Sequence, residues 1–138
     1  MDIELEQQIA HSLMRREFSE RFLRDLQAPG NSMIHRLPDM LDVRFVMGSS
    51  NHFATPAAAA DLMCDNGVGN MCYVFSEFGS FHRVYAPLHT ALEVVQFSRS
   101  PAFLVGLPSG FSYFKGAAYP VRPFSCFLRP FRGFDRIP

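Results

Sequence analysis

The first 27 residues carry a single apolar stripe, and that stripe limits what the chain can fold into more than any other feature. Leu5, Ile9, Leu13, Met14, Phe18, Phe22, Leu23 and Leu26 recur at three- and four-residue steps, the spacing that lines side chains along one side of an α-helix. A helix patterned this way is stable only when the stripe is buried against another layer. Asp2 is placed to cap its start, Glu4 and Glu6 suit the positive end of the dipole, and Pro29-Gly30 stops the run. Glu6, Gln7, Arg16, Glu17, Glu20 and Arg24 are assigned to the opposite, solvated face. The pattern predicts one helix over residues 2–27.

Beyond it the period changes. Residues 31–42 read as a connector with a short helical turn, because Pro38 interrupts any longer helix. Residues 43–47 form a short strand ended by Gly48-Ser49-Ser50-Asn51. Thr55-Pro56 opens a helix that Asp65-Asn66-Gly67 closes, with Thr as the cap and Pro in the first turn. Residues 71–78 and 81–88 are strand-like runs about Gly79-Ser80, the two-residue loop of a tight hairpin. That turn would set Phe78 opposite Phe81, Glu77 opposite His82, Phe75 opposite Val84 and Tyr73 opposite Ala86. Residues 90–97 fit a short helix or a Val-rich strand. Residues 102–107 and 111–114 make a second hairpin around Pro108-Ser109-Gly110.

The last stretch, residues 119–138, contains Pro120, Pro123, Pro130 and Pro138 and repeats Arg-Pro-Phe at Arg122 to Phe124 and Arg129 to Phe131. Proline cannot donate to a sheet ladder, so this stretch is expected to be at most an edge strand or an extended strap. The expected fold is therefore α+β. An N-terminal amphipathic helix leads into a mainly antiparallel sheet of about four to six strands, with one or two short helices on one face and an extended Pro/Phe/Arg-rich C-terminal strap. Helices are expected to cover one face only. The chain reads as a single domain, residues 1–138, divided into an N-terminal helix (1–28), a hairpin-rich core (43–118) and the C-terminal segment (119–138).

Thirteen basic and thirteen acidic side chains cancel, which removes a whole-molecule field for a polyanion. Only the C-terminal part is basic, with Lys115, Arg122, Arg129, Arg132 and Arg136 against Asp135. Three cysteines, Cys64, Cys72 and Cys126, without CxxC spacing, argue against a disulfide framework and for buried thiols in a reducing, cytoplasmic setting. No targeting signal is read at the N-terminus, and no apolar run approaches the length of a membrane helix.

Several residues are candidates for chemistry. Glu77 beside His82 would orient an imidazole for general acid-base work; the bland alternative is a polar cross-strand pair. His52, Cys64, Cys72, His82 and His89 lack the close ligand pairs of a structural zinc site, so no metal or cofactor is expected. Cys72 reads as core, whereas Cys126, among arginines, invites a lowered pKa. Gly67 and Gly69 follow a helix instead of preceding one, so they read as a cap and turn; Gly48 to Asn51 do precede a helix but bring no lysine. Arg122, Phe124, Arg129, Phe131, Arg132 and Phe134 combine the residue types enriched at protein interfaces, and Phe18 and Phe22 would be partner-facing if the N-terminal helix lay in a partner's groove or paired with its own copy.

The resulting reading is a non-catalytic interaction or accessory protein that binds a protein partner, or itself, through the N-terminal helix, the Phe/Arg segment or both. A small enzyme or ligand-binding domain near Glu77 and His82 is the first alternative, with Arg83 or Tyr85 at the rim. A binder of single-stranded nucleic acid through the basic segment is the second.

Overall fold

Asp2 begins the first helix: its Oδ1 accepts the Leu5 amide at 3.0 Å and α1 runs Ile3–Leu13. The computed structural model describes residues 1–28, 34, 36–41, 46–50, 55–97, 100–116 and 125–130. The helical N-terminus is broken in two. Met14 takes extended backbone and bridges Leu41, while the Arg15 amide donates to the Met40 carbonyl at 2.7 Å. A 3-10 turn, Arg16–Phe18, then leads into α2, Ser19–Gln27. No glycine or proline marks this break; pairing with the end of α3, Leu37–Met40, overrides a local sequence that would continue the helix. The Ser19 hydroxyl donates to the Ala10 carbonyl at 2.9 Å and ties the two helices together. Leu5, Ile9, Leu13, Met14, Phe22 and Leu26 are all buried, so the stripe survives the break.

Among the described residues the sheet has six strands: β1 (Val46–Ser50), β2 (Val68–Ser76), β3 (Val84–Pro87), β4 (Ala102–Pro108), β5 (Ser112–Lys115) and β6 (Ser125–Leu128). Their order is β1-β6-β5-β4-β2-β3 and every neighbouring pair is antiparallel. The fold is α+β, as the sequence pattern predicts. Two short helices, α4 (Pro56–Asp65) and α5 (Leu88–Phe97), pack on one face over Cys72, Val74, Leu104, Tyr113 and Phe127. The opposite face, Tyr73, Phe75, Phe103, Val105 and Phe114, is covered by α1, α2 and α3. Helices thus cover both faces instead of one. The cause is legible in β2 and β4, whose consecutive residues are apolar, so neither face can be left to water.

Local chemistry holds where it is decisive. Thr55 caps α4 by accepting the Ala58 amide at 3.1 Å, and Gly67, at φ 88°, turns the chain after the Asn66 C-cap. The second hairpin forms, pairing Phe103 with Phe114 and Leu104 with Tyr113. Residues 88–97, ambiguous by length, are helical. The first strand differs from expectation: it continues through Gly48 to Ser50. The C-terminal segment differs more. Its proline-free piece Ser125–Leu128 is an inner strand between β1 and β5, not an edge, and Cys126 and Phe127 are buried there.

Gly106 shows how tightly the sheet is closed at the β4–β5 hairpin. A Cβ at this position would stand 2.6 Å from the Phe111 carbonyl oxygen and closer still to the Val68 side chain. Backbone on one side cannot move away without disturbing the Gly106 amide bond to that same carbonyl. Gly106→Ala is expected to destabilise the protein by about 1–3 kcal/mol through overpacking. Urea denaturation checks this, and an unchanged midpoint would contradict it.

Candidate functional site

The polar chemistry of the molecule converges where the N-terminal helices meet β2 and β3. Glu6 on α1 is 1% exposed and Arg83, just before β3, is 7% exposed. They form a bidentate pair, Arg83 Nε donating to Oε2 at 2.7 Å and Nη2 to Oε1 at 2.6 Å. Arg83 Nη1 also donates to the Leu26 carbonyl near the end of α2 at 3.2 Å. The Tyr73 hydroxyl, from β2, donates to Glu6 Oε2 at 2.7 Å and accepts the Asp2 amide at 2.9 Å. The Tyr85 hydroxyl reaches the Asp2 carboxylate. One cluster therefore joins α1, the end of α2, β2 and β3.

Its electrostatics follow from this geometry. The hydrogen bond to Glu6 holds the Arg83 guanidinium above its ordinary pKa, and burial followed by the Glu6 hydrogen bond pushes the Tyr73 phenol up. Arg83 adopts φ 59°, rare for a residue with a side chain, and so sits outside strand geometry. Both Glu6 carboxylate oxygens are engaged and the two side chains are almost fully shielded from solvent. The pair is a clamp on the fold.

Glu77 and His82 are not brought together as the predicted hairpin requires. The β2–β3 ladder pairs Tyr73 with Tyr85 and Cys72 with Ala86, and its last pair is Val74 with Val84. This is one residue away from the expected register, because the connection is not a two-residue turn: it contains the 3-10 turn Gly79–Phe81 and the left-handed Arg83. His82 instead packs edge-on against Phe75, with ring centroids 6.0 Å apart, and its Nδ1 accepts the Ser76 amide at 3.1 Å. Burial, then the Arg83 charge, lower the His82 pKa.

The cysteines divide. Cys72 is core, as expected, and burial pushes its thiol up to about 12. Cys126 is raised to about 11 by burial, the reverse of the lowering its arginine neighbours in sequence invite, because its side chain faces the apolar interior. Cys64 is exposed on α4, not buried. Among the described residues no group of three or more His, Cys, Asp and Glu gathers as a metal site. No helix of the described residues is long and apolar enough to cross a membrane. Lys115 is buried, with Nζ donating to the Ser100 carbonyl at 3.1 Å, and burial lowers its pKa.

Of the residues read as partner-facing, Phe22 is fully buried and meets Phe75 edge-on at 5.5 Å. Phe18 packs partly against the same core. Arg122, Phe124, Phe131, Arg132 and Phe134 lie outside the described residues. Arg129 is exposed immediately after β6, and its Nη2 donates to Asn66 Oδ1 at 3.2 Å. Asn66 is itself fixed, its amide donating to the Leu62 carbonyl at 2.8 Å. These two residues, with Ser109, Phe111 and Pro130, line an open cleft of about 350 Å³. No protein-family model, curated protein or solved structure matches this chain.

Sequence reasoning missed Glu6. At about 100° per residue, Glu6 falls between Ile9 and Ala10 around the α1 axis and close to Leu13, inside the apolar arc and not opposite it. That angle is the available signal. A carboxylate placed there requires a buried partner, but nothing local points to Arg83, 77 residues away.

Proposed function

We propose that the chain is a non-catalytic interaction or accessory protein that receives an acidic segment of a partner protein at Arg129. The observation that carries this reading is the exposed guanidinium held by Asn66 at the wall of a cleft also lined by Phe111 and Pro130. Arginine is over-represented at binding hot spots because it offers a planar fork of donors to a carboxylate while its stem packs on apolar groups. The N-terminal stripe is occupied by the chain's own sheet, which shifts the weight of the reading to the C-terminal side.

Affinity capture of the tagged protein from its host lysate, with and without nuclease and alongside Arg129→Glu, tests the reading. A nuclease-resistant partner whose recovery falls about tenfold or more with the charge reversal is expected, a loss that corresponds to about 1.4 kcal/mol. Undiminished recovery by Arg129→Glu overturns the assignment to this cleft. Recovery that nuclease abolishes overturns it in favour of nucleic-acid binding.

A further inference from the structure

We propose that residues 77–83 form an acid-released latch: protonation of His82 frees this connection and, through Arg83, loosens the N-terminal helices from the sheet. The geometry starts at the imidazole. Nδ1 accepts the Ser76 amide, so the bound ring is neutral with its proton on Nε2. Adding a proton turns Nδ1 into a donor that faces another donor, and the bond is lost.

The charged groups facing His82 among the described residues are Arg83 from its own connection and Glu6 from α1; Glu77 is the other titratable group on the connection. Arg83 opposes a second cation. Glu6 favours one, but its carboxylate is already engaged by Arg83 through both oxygens. Burial against Phe75 is the larger source of the resistance, ahead of the Arg83 charge. A folded-state pKa below the free value means that the unfolded chain binds the proton more readily. The stabilisation is then complete above the free histidine value of about 6.5 and is lost as pH falls through the lower folded value.

Besides the His82 bond, the end of β2 holds the connection through the Ser76 hydroxyl, which donates to the Phe81 carbonyl and accepts the Phe78 amide at 3.2 Å, and through the Val74 carbonyl, which accepts the Arg83 amide at 2.7 Å. These contacts keep Arg83 at positive φ, a conformation that persists only while its surroundings impose it. Once His82 lets go, Arg83 relaxes, and its guanidinium leaves both Glu6 and the Leu26 carbonyl. Those bonds help fasten α1 and α2, beside the Tyr73 and Tyr85 contacts to Glu6 and Asp2 and the buried apolar stripe.

Hydrogen exchange of the full chain at about pH 7.5 and about pH 5.5, each rate normalised to its intrinsic value, tests the latch, since histidine is the side chain that titrates across this interval. The amides of Ser76, Arg83, α1 and α2 are expected to lose up to about tenfold of their protection at the lower pH, the limit set by one histidine with a free value of about 6.5, while β4 and β5 keep theirs. In His82→Gln, whose side-chain oxygen accepts the same amide without titrating, that acid-dependent loss is expected to vanish. Equal protection at both pH values in the parent, or an equal acid-induced loss in His82→Gln, overturns the proposal. If the variant does not fold, the ring resonances of His82 in the parent decide: titration below the free value as the Nε2–H tautomer supports the latch, and titration at or above about 6.5 refutes it.

Discussion

Arg83→Met is expected to lower the unfolding free energy by about 3–5 kcal/mol, because it leaves the Glu6 carboxylate buried without its counter-charge. Methionine keeps the Cβ and a comparable apolar stem, so the backbone cost at φ 59° is largely common to both proteins and the guanidinium is what is removed. The loss has three parts: two bonds to Glu6, one to the Leu26 carbonyl, and the countercharge that lets Glu6 also accept from Tyr73. Equilibrium urea denaturation reads it. A change below about 1 kcal/mol, the scale of an exposed pair, would mean that the two side chains are solvated in solution.

Phe75→Ala is the second large effect, expected at about 3–5 kcal/mol. Phe75, on β2 between β4 and β3, faces the N-terminal helices, stacked on Phe103 at 5.9 Å, edge-on to Phe22 at 5.5 Å and to Tyr73 at 5.4 Å. Truncation removes the transfer term of a whole ring and leaves a cavity between elements that cannot close without shifting both layers. Phe78, 42% exposed at the end of the same run, is the internal comparison: its alanine variant should change stability by no more than about 0.5 kcal/mol. Similar losses at the two positions would contradict the core as described.

The sequence made legible the parts of the fold whose causes are local. Asp2 and Thr55 cap helices because their side chains reach amides two or three residues on, a relation fixed by helix geometry alone. The β4–β5 hairpin is similar, since a short loop with Gly110 at φ 82° leaves little freedom in register. Three of the misses depend on distant partners. Met14 leaves helical geometry to bridge Leu41, Ser125–Leu128 enters the sheet between prolines that mark the segment as a strap, and Glu6 is buried for Arg83. The Glu77–His82 pairing failed for a subtler reason. Gly79-Ser80 fits a tight turn by composition, but a 3-10 turn there and one left-handed residue move the register by one, which reassigns every facing pair.

The candidate sites follow the same division. Arg129 is exposed as its place in a basic, proline-flanked segment implies, whereas Phe22 was chosen for a stripe that the chain uses internally. Cys126 illustrates why neighbours in sequence mislead about pKa: its side chain is buried in the apolar interior while Arg129 is exposed, and burial sets the direction of the shift.

The buried Glu6–Arg83 ion pair fastens the N-terminal helices to the sheet, and a double-mutant cycle measures that coupling. Glu6→Leu and Arg83→Met, singly and together, are compared by urea denaturation. The double variant is expected to recover much of what either single variant loses, with a coupling energy of about 2 kcal/mol or more, because no charge is then left buried alone. Losses that simply add would show that Glu6 and Arg83 act independently and would contradict the clamp.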